Sequence, residues 1–389
     1  MSVTAPAGFR AAGVTAGLKA SGRPDLALVV NDGPRRDAAA VFTRNRVEAA
    51  PVTWSRVAVA DGRIDAIVLT SGGANACTGP EGFADTHTTA EHVADALGIS
   101  SGDVLVCSTG LIGERLDLPA LLGGVDAAVA ALAEPGAGDA AAGTAAATAI
   151  MTTDTVSKEA TFVGDGWSIG GMAKGAGMLA PSLATMLVVL TTDAELPPET
   201  LTAALREACA VTFDRLDSDG CMSTNDTVAL LSSGASSAQV PVEDFTAGLT
   251  QVCSQLAQAL LTDAEGAKHD ITIEVANAAS EADALMVGRA IARNNLFKCA
   301  VFGGDPNWGR ILAAVGTTDA AFDPRALDVS INGVQVCRAM GVGDDRDGVD
   351  LSGRAVHVLV DLHAGDARAT VWTNDLTHDY VHENSAYST

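Results

Sequence analysis

The chain has 389 residues, 48% of them apolar but only 4% aromatic, so a large core must be assembled mainly from Ala, Val, Leu and Ile. A formal net charge of −24 argues against nucleic acid or an anionic membrane as partner, because phosphates would be repelled. Seven scattered cysteines without a CxxC pair suit buried reduced thiols of a cytosolic protein better than disulfides.

The opening MSVTAPAGFRAAGV has no basic stretch leading into an apolar one, which argues against a signal peptide. No apolar run approaches the roughly 18–20 residues of a membrane span. DAIVLTSGG (65–73) reads as a strand ending in a glycine turn, and DVLVCSTG (103–110) repeats that form. Between them, FADTHTTAEHVADALGI (83–99) has apolar positions at helical spacing. Residues 118–132 form a second helix candidate, followed by an Ala/Gly-rich segment around EPGAGDAAAG.

KGAGMLAPSLATMLVVLTTDA (174–194) runs from a glycine-rich loop bearing Lys174 into an apolar strand opened by Thr185. PPETLTAALREACAVTF (197–213) carries prolines and Glu199 as first-turn signals. NDTVALLSSG is then a strand, and residues 242–261 a long helix. The last third reads as strands at 270–278, 298–305, 326–333, 355–363 and 367–375, interrupted by a helix over about 280–294. This pattern predicts an α/β fold of mixed and antiparallel strands rather than simple βαβ winding.

Chemistry concentrates around Thr185. A threonine hydroxyl is a poor nucleophile unless a base sits beside it, and a chain-terminal threonine has one in its own α-amine, of reference pKa about 7.7–8.0. An internal threonine reaches that state if its hydroxyl attacks the preceding carbonyl and water opens the ester. Such a site wants a small upstream residue, a strained loop and a rigid strand, and Ala184, the Gly/Pro loop and TMLVVL supply them. The alternative is a β-branched residue opening a strand, the usual reason for threonine there, and spacing alone favours it. In CSTGLIG (107–113), Thr109 and Gly110 follow an apolar strand, and their backbone N–H groups are candidate donors to an oxyanion. Cys107 lies inside the apolar pattern and reads as a structural thiol.

Other segments carry less. AKGAG (173–177) lacks the GK[ST] ending of a phosphate loop. GGDPNWGR (303–310) reads as a tight turn presenting Arg310 to a carboxylate or to a structural ion pair. Glu265 stands at the end of a long helix. His378 and His382 lack a third ligand, and GDDRDGVD (343–350) lacks calcium-loop spacing.

Taken together, SGGANACTG (71–79), CSTGLIGERL (107–116), MTTDT (151–155), KGAGMLAPSLATML (174–187), MSTNDT (222–227), EGAKHD (265–270), GGDPNWGRI (303–311) and the final ENSAYST resemble the glutamate N-acetyltransferase/ornithine acetyltransferase family of arginine biosynthesis over nearly the whole chain. The resemblance implies layered sheets and helices of the type shared with self-cleaving aminopeptidases. It implies cleavage between Ala184 and Thr185 into an α chain (1–184) and a β chain (185–389) that form one compact unit, assembled as a cytoplasmic (αβ)2 heterotetramer. Thr185 is then the nucleophile, Thr109 and Gly110 the oxyanion donors, and Thr152, Lys174, Thr185, Glu265, Asn384 and Thr389 the substrate-binding positions. The implied reaction moves the acetyl group of N2-acetylornithine to glutamate without metal or organic cofactor, and leaves acetyl-CoA open as a co-substrate. Departures from the family pattern are Gly73 in the SGG loop, Ser182 and Leu183 before the cleavage site, and a short segment after MTTDT. A hydrolytic aminopeptidase or amidase on the same scaffold is the competing enzyme reading. An Ala-rich scaffold protein is the non-enzymatic one.

Overall fold

The computed structural model describes residues 2–179 and 186–386. From the N-terminus, β1 (Phe9–Val14), β2 (Leu26–Asn31) and β3 (Asp37–Phe42) precede α1 (Ala50–Ala58). Next come β4 (Ala66–Thr70), α2 (Gly79–Leu97), β5 (Val104–Ser108), α3 (Leu118–Leu132), α4 (Ala140–Ala149), β6 (Lys158–Val163) and β7 (Ser168–Lys174). Then follow β8 (Leu187–Thr192), α5 (Pro198–Val211), β9 (Thr227–Ser232), α6 (Val242–Thr262), β10 (Asp270–Ala278), α7 (Glu281–Ala292), α8 (Asn295–Phe302) and α9 (Trp308–Val315). The chain closes with β11 (Asp328–Ile331), β12 (Val334–Arg338), β13 (Gly341–Val342), β14 (Ala355–Asp361), β15 (Ala367–Asn374) and α10 (His378–Glu383).

The described strands form three sheets, ordered β1-β2-β4-β5, β3-β9-β8-β7-β6 and β13-β12-β11-β14-β10-β15. Each mixes parallel and antiparallel pairs, as the β4–β5, β8–β9 and β10–β14 parallel ladders show beside their antiparallel neighbours. The predicted α/β class with mixed sheets is what the chain adopts.

Alternation along the strands explains the layering. In β2, Ala27 and Val29 point to one side and Leu26, Leu28 and Val30 to the other. The first pair joins Ile67, Leu69 and Leu105 against Met172, Leu187, Val189 and Leu231 of the five-stranded sheet, so two sheets meet face to face. The second set packs on Val93 of α2 and Leu121 and Val125 of α3. The far face of the five-stranded sheet packs its Val188 and Leu190 on Leu201 and Leu205 of α5 and Leu249, Val252 and Leu256 of α6. The result is helix, sheet, sheet, helix. All six residues of β8 are buried because apolar layers cover both of its sides.

The six-stranded sheet lies against α7, α8 and α9 with a core of its own. It joins the rest where Leu216 bridges Trp372 of β15 and the Asp217 amide donates to the Trp372 carbonyl across 2.8 Å.

Two readings of the sequence need correction. KCAVFGGD (298–305) was expected as a strand, but residues 295–302 are helical. Asn294 caps that helix by accepting from the Phe297 amide, and Phe297 and Val301, one turn apart, both enter the core. The expected tight turn GGDPNWGR is the entry to a helix. Asn307 caps it, and Arg310 sits inside α9, donating to the Leu296 carbonyl across 2.5 Å rather than to a carboxylate.

Candidate active site

The ends of β5, β7, β8 and β9 meet where the two facing sheets open. Thr109 follows β5, and Lys174 is the last residue of β7. Met186 leads into β8 and Asp226 stands before β9.

Thr109 and Gly110 are held by the SGG loop. The Thr109 amide donates to the Thr70 carbonyl across 2.9 Å, and the Ala74 amide donates to Leu111. Asn225 clamps both loops, its Nδ2 donating to the Ala74 carbonyl at 2.6 Å and the Ser108 carbonyl at 2.8 Å. Gly110 has φ +133°, and a Cβ there would lie 2.8 Å from the Gly73 nitrogen. Only glycine fits that approach. The sequence reading proposed backbone N–H donors at both residues. The structure commits the Thr109 N–H to Thr70 and leaves the Thr109 hydroxyl as that residue's group at the site.

Lys174 is not the exposed loop lysine that its glycine-rich surroundings suggest. It is 1% exposed at the end of a strand, and its Nζ donates to Thr109 Oγ1 across 3.3 Å. Burial lowers its pKa, Lys158 acts in the same direction, and Asp154, Asp226 and Glu265 oppose them. Beneath it runs a buried charge network. Lys158 Nζ lies 2.6 Å from Asp154 Oδ1 and 2.6 Å from Asp263 Oδ2. Burial alone would push the Asp154 carboxyl up, but Lys174, Lys158 and the Gly175 amide outweigh it and hold the pKa at about 2. The same carboxylate accepts the Gly175 amide at 2.6 Å and the Thr152 amide at 2.9 Å, so one anion fixes two loops that line the site.

Glu265 stands three residues beyond the end of α6, its amide donating to the Ala176 carbonyl at 2.9 Å. Its carboxylate lies against Gly177, where an added Cβ would come within 2.6 Å of either oxygen. Among the described residues it makes no ion pair. Asn384 caps α10.

Six of the expected residues share one small cavity of about 110 Å³: Thr109, Gly110, Thr152, Lys174, Glu265 and Asn384, together with Thr153, Gly177 and Met178. Ala184, Thr185 and Thr389 lie outside the described residues. Met186, which follows Thr185 in the chain, donates its amide to Asp226 Oδ1 at 3.0 Å. A larger concavity of about 530 Å³ beside β3, lined by Phe42, Arg56 and Arg206 among others, holds none of the expected residues.

Cys107 is buried in β5, and burial pushes its thiol up to about 12, so it is a structural thiol as read. Among the described residues no cluster of His, Cys, Asp and Glu is arranged to hold a metal ion. No described helix is long and apolar enough to cross a membrane. Sequence reasoning missed Asp154, Lys158, Asn225, Asp226 and Thr153. The first four act through contacts with residues distant in the chain.

The ArgJ family model matches residues 10–389. The chain is 63% identical over 388 residues to the arginine biosynthesis bifunctional protein ArgJ of Streptomyces coelicolor, covering 100% of each. The chain belongs to the ArgJ family. It is 66% identical over 389 residues to the ArgJ protein of Thermobifida fusca, again covering 100% of each chain. A solved ornithine acetyltransferase of Mycobacterium tuberculosis, complexed with ornithine, is 59% identical over 47% of this chain and 96% of its own, with a TM-score of 0.45. As an ArgJ protein the chain is an acyltransferase of arginine biosynthesis.

Proposed function

We propose that the chain transfers the acetyl group of N2-acetyl-L-ornithine to L-glutamate through an ester on Thr185, after cleaving itself between Ala184 and Thr185. The observation that carries this reading is the convergence of Thr109, Gly110, Thr152, Lys174, Glu265 and Asn384 on one cavity. That cavity opens beside Lys174, whose strand is the direct neighbour of the one Met186 enters, in register Lys174↔Leu187.

In this reaction the Thr185 hydroxyl gives its proton to its own α-amine and attacks the acetyl carbonyl. The oxyanion is met by the Thr109 hydroxyl and by Gly110. Lys174 donates to Thr109 Oγ1, which leaves the hydroxyl proton free to point at the oxyanion. The C–N bond breaks, the proton passes to the leaving ornithine amine, and an acetyl-threonine ester remains. Glutamate's amine then attacks the ester and restores the threonine. Lys174 is matched to a substrate carboxylate and Glu265 to a cationic amine. Thr152, Asn384 and the terminal Thr389 complete the substrate shell in this proposal. Acetyl-CoA would load the same ester as a second donor, in keeping with the bifunctional name of the relatives. The proposal includes an (αβ)2 assembly in the cytoplasm.

Intact-mass measurement and N-terminal sequencing test the reading, with a β chain starting TMLVVL as the expected result. Incubation with acetylornithine and glutamate should give acetylglutamate. Thr185→Ala should give one uncleaved, inactive chain, and a cleaved or active variant would sink the proposal. Release of acetate without acetylglutamate would replace it with a hydrolase.

A further inference from the structure

The loop that joins β1 to β2 comes to the same end of its sheet as the SGG and CSTG turns, because Leu26 pairs with Thr70 and Thr70 with Ser108. Nothing in the reaction above uses it. Asp25 is fully buried under this loop and gives its carboxylate to four backbone amides, those of Ala16 at 2.6 Å, Gly17 at 3.1 Å, Leu18 at 2.6 Å and Lys19 at 2.9 Å. Leu18 packs on the SGG loop so closely that a Cβ on Gly72 would lie 2.3 Å from its own. The loop is fixed from both sides, and Lys19 is held with it.

Lys19 Nζ donates to the Pro24 carbonyl at 2.9 Å and to the Met151 carbonyl at 2.6 Å, so among the described residues one of its three N–H groups is uncommitted. Arg23 is exposed and donates from Nη2 to the next carbonyl, that of Thr152, at 3.2 Å. Thr152 itself lines the cavity. Two cations thus stand at one wall of the cavity, and neither makes an ion pair among the described residues. The charged groups that face Lys19 are Arg23, Asp25, Lys174 and Asp154. Burial, Arg23 and Lys174 lower its pKa to about 8, against the two carboxylates. Those carboxylates are already engaged, Asp25 by the four amides and Asp154 by Lys158 and the Gly175 amide. A bound anion would relieve this crowding of positive charge.

The proposed reaction supplies such an anion. Acetylornithine and glutamate bring the same α-carbon to the same chemistry, so both set their α-carboxylate at Lys174. Both carry a side chain of three carbons, but one ends in an ammonium and the other in a carboxylate. Glu265, matched to the ammonium, repels the carboxylate. One acidic wall cannot serve both charges.

We propose that Lys19 and Arg23 form the acceptor subsite, the cationic pair that takes the side-chain carboxylate of glutamate while Glu265 takes the ammonium of ornithine. This rests on the reading of the cavity as the site of acetyl transfer. Thr152 and Glu265 line the same small cavity, so rotation about the side-chain bonds carries the glutamate carboxylate from one wall to the other. There the free N–H of Lys19 and the fork of Arg23 meet it with charged hydrogen bonds.

The test uses the full-length protein, with glutamate and its neutral isostere glutamine as acceptors. Exchange of acetyl between acetylornithine and labelled ornithine engages Glu265 and not the proposed pair. Arg23→Gln and Lys19→Met should each raise KM for glutamate about tenfold or more, the scale of one charged hydrogen bond. In the exchange, KM for acetylornithine should move less than about threefold. The preference of wild type for glutamate over glutamine should fall by the same factor as glutamate binding, and Arg23→Lys should keep part of it. Glu265→Gln should do the reverse, weakening acetylornithine and sparing glutamate.

A parallel loss of exchange and transfer, with the preference for glutamate over glutamine intact, overturns the proposal and makes the pair a prop for the Met151–Thr152 wall. Lys19→Met removes two hydrogen bonds from that wall; Arg23 is exposed, so Arg23→Gln decides the case if Lys19→Met does not fold. If wild type shows neither exchange nor transfer, or passes acetyl to water alone, the reading of the cavity falls and takes this one with it. An active transferase whose preference for glutamate survives both variants removes Lys19 and Arg23 alone.

Discussion

Lys174 Nζ donates to Thr109 Oγ1 across 3.3 Å, joining the end of β7 to the end of β5 where both side chains are out of water. The two residues lie 65 positions apart and belong to different sheets, so the contact exists only because those sheets pack face to face. In the proposed reaction this contact leaves the Thr109 hydroxyl proton for the oxyanion.

Replacing Thr109 by valine keeps the shape and removes the hydroxyl. Steady-state kinetics should show kcat down by roughly 10²–10³-fold, the size of one lost oxyanion donor. Thr109→Ser should retain most of the activity. Equal loss in both variants would assign the residue a packing role instead.

Gly110→Ala introduces a Cβ at φ +133° that meets the Gly73 backbone at 2.8 and 2.9 Å. Positive φ alone costs about 1–3 kcal/mol, and the contact is with backbone, which cannot swing aside. Denaturant unfolding should show at least that loss, accompanied by lost activity because the turn must shift.

Lys158→Met leaves Asp154 and Asp263 facing each other without their shared cation, at an expected cost of roughly 3–5 kcal/mol. Asp154→Asn gives the complementary pH test. A carboxyl held at about 2 when folded contributes stability that is complete above its unfolded pKa of about 3.9. That contribution is lost as pH falls toward 2. The stability gap between wild type and Asp154→Asn should therefore be widest at neutral pH and close across that acid window. A gap constant with pH would refute the buried ion network.

Gly177→Ala should act on substrate binding rather than on the fold. Its Cβ would press within 2.6 Å of both Glu265 oxygens, displacing a carboxylate that has room to move. The expected result is KM for the cationic substrate raised about tenfold or more, the scale of one charged hydrogen bond, with thermal stability nearly unchanged. Glu265→Gln should produce the same pattern without the steric push.

Much of the architecture was readable because strong periodic signals survive any context. The helix over 118–132 and the strand inside 270–278 were found with their bounds. The strands FRAAGV and DAAAVF were not recognised, because alanine has little strand preference and their burial comes from the facing layers. The run at 298–305 misled for a related reason. Four apolar residues beside two glycines fit a buried strand as well as a helix, and Asn294 decides between them only once its cap is seen.

At the site, Lys174 and Glu265 were found by motif, but their environment was not. A lysine's burial depends on anions brought by folding, and Lys158 reaches Asp263 across 105 positions. Asp226 sat in view within MSTNDT, yet nothing in those six letters says that its carboxyl is buried and holds the Met186 amide across 40 positions.

The order β3-β9-β8-β7-β6 has a consequence for assembly. Strands from after residue 185 lie in the middle of the sheet, flanked on both sides by strands from before it. The second half holds only the central pair β9-β8 and the first half only the flanking strands, so neither can build this sheet by itself. An intact chain closes the sheet as a single molecule, at a rate indifferent to dilution. A chain opened at Ala184–Thr185 and then fully unfolded would face a second-order search for its other half. If the chain is cut as proposed, renaturation would depend on concentration for the cleaved protein and not for a Thr185→Ala precursor, and the cut would be a point of no return in its folding history.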